Sequence, residues 1–147
     1  MDTRNLTSIC DKSLQELEGN EWGEPSFDSH VAKERHRLRR VPLKRLRLED
    51  LRLLIGQGDG LPYLVPLALE HLEKHPFAEG DFYPGDLLAS VLTVADPFWA
   101  GRPELRQTLV RALERAVERV HKISVPGGFA AEIRRHLALH RSAAGLA

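Results

Sequence analysis

Between positions 61 and 72, apolar side chains fall at Leu61, Leu64, Val65, Ala68, Leu69 and Leu72, the spacing that lines one face of an α-helix. No stretch of the 147-residue chain shows the sustained period-2 alternation that a half-buried strand requires. A helix satisfies its own backbone but hides only one stripe, so several such helices must share a core. The expected fold is therefore all-α: a compact single-domain bundle of six or seven helices over 1–147, with 103–147 forming a C-terminal helical pair.

Local signals divide the chain further. Ser13-Leu14-Gln15-Glu16 has the spacing of a capping box, and Gly19 is a natural stop. A second helix is expected over Ser29–Arg39, with Phe27, Val31 and Leu38 on its apolar side, ending before Pro42. A third, over Glu49–Gln57, would turn Leu51, Leu54 and Ile55 inward, with Glu49 and Asp50 in the turn where the helix dipole favours acids. Gly56-Gln57-Gly58-Asp59-Gly60 breaks it, Leu61-Pro62 starts the next, and His75-Pro76 ends that one. Pro84-Gly85-Asp86 opens a short apolar helix through Leu87, Leu88, Val91 and Leu92, and Asp96–Gly101 is expected to be a loop carrying two large aromatics. Pro103 to about Lys122 is a long helix with Leu105, Leu109, Leu113, Ala116, Val117 and Val120 on one face; a final helix holds Phe129, Ile133 and Leu137.

Net charge is zero, yet the charges are segregated. Residues 1–28 carry seven acids against Arg4 and Lys12, and residues 33–52 carry nine basic residues against Glu34, Glu49 and Asp50. Residues 59–96 carry seven acids against Lys74 alone, and 102–147 carry nine basic residues against four acids. Such blocks either steer charged partners or pair with one another inside the fold. The single cysteine, Cys10, cannot form an internal disulfide, the start Met1–Leu6 is polar, and no apolar run of about 18 residues is present. A cytoplasmic protein without a membrane span is expected.

Candidate chemistry is sparse. The glycines at 56–60 read G-x-G-x-G and follow a helix, whereas a dinucleotide site needs G-x-G-x-x-G after a strand. His71 and His75 flank Glu73 at helical spacing, and His136 and His140 repeat it, but H-x-E-x-H is not a zinc-protease pattern and no cysteine ligand accompanies it. Cys10 lies between Ile9 and Asp11 with no adjacent base to activate it, and Asp81 and Asp86 sit in a glycine-bearing turn that suits solvated carboxylates. The expectation is a non-enzymatic protein with no cofactor and no metal. The basic block 33–52 raises an alternative, a small helical nucleic-acid-binding or regulatory protein. Direct nucleic-acid binding is disfavoured, because the block holds no aromatic residue for base stacking.

The central segment carries an ordered series of motifs: Leu38-Arg39-Arg40-Val41-Pro42-Leu43, then Leu51-Arg52-Leu53-Leu54-Ile55-Gly56-Gln57, then Tyr63-Leu64-Val65-Pro66-Leu67-Ala68-Leu69, then Phe82-Tyr83-Pro84-Gly85-Asp86-Leu87-Leu88, closing at Phe98-Trp99. With Leu14–Glu18 and Trp22–Pro25, this series resembles the immunity proteins of contact-dependent growth inhibition systems over roughly residues 10–100. It departs from them at Arg47, where a Ser or Thr helix cap is expected, and the tail after Gly101 does not extend the likeness.

The resemblance implies a cytoplasmic, one-to-one partner of the C-terminal toxin domain of a large secreted effector. It implies inhibition by masking the toxin's active site or substrate path, the toxin often being a nuclease and in some cases a tRNase. A nuclease cleft is basic, so an acidic inhibitor surface complements it. Toxin-binding residues are accordingly expected in the acidic stretch: Asp59, Glu70, Glu73, Glu79, Asp81 and Asp86 for charge, with Tyr63, Tyr83 and Trp99 as amphipathic anchors.

Overall fold

A computed structural model describes residues 9–23 and 29–146. Among them lie eight α-helices: α1 Leu14–Glu18, α2 His30–Leu38, α3 Leu48–Gly56, α4 Leu61–Lys74, α5 Asp86–Leu92, α6 Asp96–Ala100, α7 Pro103–Arg119 and α8 Phe129–Ala143. Short 3-10 turns cover Leu43–Arg45 and Val120–Lys122. The described residues contain no strand. The all-α bundle expected from periodicity is what the chain adopts.

The helix ends follow their local chemistry. The Ser13 hydroxyl accepts the Glu16 N–H at 3.2 Å, and the Glu16 carboxylate accepts the Ser13 N–H at 3.3 Å, a reciprocal cap on α1. Ser29 caps α2 by accepting the Ala32 N–H at 3.1 Å. At α3 the expected hydroxyl cap is replaced. The Asp50 carboxylate accepts the Arg47 N–H at 2.8 Å while the Arg47 guanidinium approaches the other oxygen at 3.3 Å, so the acid three residues on does the capping. Asp96–Ala100 is a helix rather than a loop, because Pro97 in its first turn has its backbone pre-set for helix and has no N–H to satisfy.

One buried cluster runs from Leu14 to Ile133. Helix α4 lies at its centre, with Leu64, Val65, Ala68, Leu69 and Leu72 at most 1% exposed. Helix α3 packs on α5, α4 packs on α7, and α7 packs on α8. Leu109, Leu113 and Ala116 of α7 and Ile133 of α8 are fully buried in this same cluster, so the tail beyond Gly101 helps to complete the core. Among the described residues, no helix is long and apolar enough to cross a membrane.

Helix α2 departs from expectation. Val31 is 39% exposed, Leu38 is buried, and Phe27 lies outside the described residues. Charge anchors this helix in place of an apolar stripe. Arg35 grips Asp59 through two hydrogen bonds of 2.7 and 2.9 Å. The buried Arg39 guanidinium pairs with Glu18 at 2.5 Å and stacks 4.2 Å from the Trp22 ring centre. Much of the basic block is engaged likewise: Arg37 with Glu34, Lys44 with Asp11, Arg47 with Asp50 and Arg52 with Glu49.

Helix α8 closes over α6 through His140, which is 6% exposed, edge-on to Trp99 at 5.6 Å and stacked on His136 at 6.1 Å. Burial chiefly, then the positive charges of Arg106 and His136, hold His140 down to about 4; Asp96 opposes this weakly. Burial depresses His136 too. An unfolded histidine titrates near 6.5, so below that pH the unfolded chain takes protons that the fold refuses. Stability is therefore expected to be full above about pH 6.5 and to fall by on the order of 2 kcal/mol toward pH 4, the shift being discounted for partial solvent screening. Urea titrations at pH 7 and 5 check this; a slope unchanged in His140→Phe would assign the loss elsewhere.

Candidate functional site

The segment between α4 and α5 is a loop with its own scaffold. The buried Asp86 carboxylate, at the start of α5, accepts the N–H of Gly80 at 2.6 Å through one oxygen. Its other oxygen accepts those of Phe82 at 3.0 Å and Tyr83 at 3.4 Å. A second carboxylate, Glu49 of α3, accepts the N–H of Asp81 at 3.0 Å. Glu49 is itself fixed by a two-point pair with Arg52 at 2.7 and 2.6 Å. Those contacts, Arg52 first and the Asp81 N–H also, hold the Glu49 carboxyl below its ordinary range.

Two glycines make the close approach possible. A Cβ at Gly80 would stand 2.6 Å from Glu49 Oε1 and 3.2 Å from the Glu49 backbone. Gly85 has φ +91°, and a Cβ there would stand 2.7 Å from the Phe129 ring. Neither position has room for a side chain.

The loop buries its two aromatics to different degrees. Tyr83 is half-buried, edge-on to Phe129 at 6.0 Å. Phe82 is 66% exposed, and the Arg52 guanidinium lies 4.4 Å from its ring centre. Glu79 and Asp81 beside it are exposed, and their carboxylates have no ion-pair partner among the described residues.

The nine residues expected to face a toxin thus divide. Glu70, Glu79 and Asp81 are exposed; Tyr63, Glu73 and Tyr83 are half-buried. Tyr63 and Glu70 are seven apart on α4 and share a face. Glu73 pairs with Arg111 of α7 at 2.9 Å, and its carbonyl accepts from Arg115. The other three lie inside the protein. Asp59, 7% exposed, is held by Arg35; Asp86, 3% exposed, holds the loop backbone; Trp99, 1% exposed, donates its indole N–H to the Val94 carbonyl at 3.3 Å. Their burial and internal partners fit them to hold the fold together. Phe82, Glu49 and Arg52 were not among the expected site residues. An apolar ring in sequence looks like core, and only the turn residues Gly80-Asp81 and Pro84-Gly85 around Phe82 hint otherwise.

Among the described residues, no three His, Cys, Asp or Glu side chains converge as a metal site. What the molecule does offer is a helical frame holding a hydrogen-bonded loop that exposes the Phe82 ring and the Glu79 and Asp81 carboxylates. The family model of CDI (contact-dependent growth inhibition) immunity proteins matches residues 16–109, more than half of the chain, and the chain belongs to that family. Its function is immunity against a CDI toxin, to which such proteins bind. No curated protein matches the chain at a significant level.

Proposed function

We propose that this immunity protein binds, one-to-one and in the cytoplasm, the C-terminal toxin domain of a large secreted effector. The toxin is a nuclease, and the protein acts without catalysis by masking its active site or substrate path. The observation that carries the proposal is the set of exposed carboxylates of Glu70, Glu79 and Asp81, none of which has an ion-pair partner among the described residues. A carboxylate left unpaired while most neighbours are engaged is available to a partner's lysines and arginines. Phosphate-binding clefts are rich in such residues. Tyr63 and Glu73, on α4 with Glu70, and Tyr83 in the loop would border the contact.

Growth rescue on co-expression with the cognate toxin domain tests the pairing. Rapid-mixing kinetics test the electrostatics. Changing Glu70, Glu79 and Asp81 together to lysine is expected to slow association at low salt by about tenfold or more. Unfolding free energy should move by less than about 1 kcal/mol, since no fold contact is lost. Association as fast as that of the unchanged protein would mean that these acids do not meet the toxin.

A further inference from the structure

We propose that Phe82, with the furrow running from it along α5, is where the toxin domain seats an apolar side chain bordered by lysine or arginine; this rests on the toxin-binding function proposed above. Of the large apolar side chains among the described residues, Phe82 is the most exposed, ahead of Leu139 at 55%, Leu146 at 44% and Val31 at 39%. A ring left in water at that level is ordinary on a floppy turn, but this turn is pinned by the Asp86 and Glu49 carboxylates and braced by the Arg52 guanidinium. An anchor already held in place loses little conformational freedom on binding, so the contact energy is not consumed in ordering it.

Next to the ring the surface is concave. A depression of about 170 Å³ is bounded by Arg52, Phe82, Asp86 and Ser90. A larger one, of about 430 Å³, is bounded by Leu92, Pro126, Gly128 and Phe129. They adjoin at Tyr83, Ala89 and Thr93, which line both. The small Ala89 side chain leaves the floor low, so a partner's backbone can approach α5 closely. The first depression has room for about one side chain. Charge complementarity selects the occupant: the exposed carboxylates of Glu79 and Asp81, on the loop that bears Phe82, make no ion pair among the described residues, so the apolar side chain that enters should have basic neighbours. The wall at Pro126–Phe129 lies beyond the family-matched segment 16–109, which gives the tail a part in choosing the toxin.

The test is equilibrium and kinetic binding of the cognate CDI toxin domain, made catalytically inactive, to the unchanged protein, Phe82→Ala and Ala89→Arg. The second variant fills the furrow without touching the anchor. Phe82→Ala should raise Kd about 30-fold, the loss of a hot-spot residue, mostly through faster dissociation. Ala89→Arg should raise it at least tenfold, and Phe82→Leu should recover most of the affinity. Circular dichroism of each variant should match the parent. Tight binding by the parent with both variants within threefold of it would overturn this site and leave the toxin-binding function standing. No binding by the folded parent would overturn that function and this site with it.

Discussion

Trp99→Ala is expected to lower the unfolding free energy by about 3–5 kcal/mol, as loss of a fully buried large aromatic does in other cores. The ring is 1% exposed, packs edge-on to Phe98 at 5.3 Å and to His140 at 5.6 Å, and ends its indole N–H on the Val94 carbonyl. Truncation removes these contacts together and leaves a void under α8, and the Val94 carbonyl loses its indole donor. Chemical denaturation reads the loss. Toxin affinity of the fraction that remains folded should change little, because the ring is only 1% exposed. A stable Trp99→Ala protein that has lost toxin binding would reverse this assignment and return Trp99 to the interface.

The second large effect is expected at Asp86. Asp86→Ala deletes the acceptor shared by the Gly80, Phe82 and Tyr83 N–H groups, and leaving buried donors without partners costs about 1–3 kcal/mol each when water cannot replace the acceptor. The loop is partly open to water, so a total of about 2–4 kcal/mol is expected. Asp86→Asn, which keeps an oxygen and the side-chain volume, should recover part of it. Unlike Trp99→Ala, this change should also weaken toxin binding in the folded fraction, since it frees the backbone that holds Phe82 and Asp81. Hydrogen exchange at Gly80 and Phe82 should rise sharply, and exchange in α4 should not. Protection at Gly80 equal to that in the parent would show that the carboxylate is not what holds the loop.

The two variants separate residues that look alike in sequence. Asp59, Asp81 and Asp86 are all aspartates beside glycines in the same acidic block, yet one clasps Arg35, one is exposed and one carries a loop. Local pattern could not distinguish them. The partner of Asp59 lies 24 positions away, and Glu49 reaches Asp81 across 32. Phe82 and Tyr83 show the same limit: adjacent in sequence, one is left 66% exposed while the other packs edge-on to Phe129, 46 positions away. The charge segregation was plain in the sequence, but whether a block serves a partner or the fold was decided by pairing. Arg35, Arg39 and Arg52 engage acids or aromatic rings, while Glu79 and Asp81 make no ion pair among the described residues.

The sequence by itself determined most of the helices, most of their ends and most of the stripes that form the core, because periodicity and capping depend on residues three or four positions apart; the short helix Asp96–Ala100 and the exposed Val31 on α2 are the exceptions. The apolar stripe from Leu61 to Leu72 became the central helix, and Ser13, Ser29 and Pro103 mark helix starts where local chemistry requires them. Only the tertiary structure decided which acids remain free and which ring faces outward. A charge is exposed or neutralised according to what packing brings within about 4 Å of it, and that depends on contacts between helices remote in the chain.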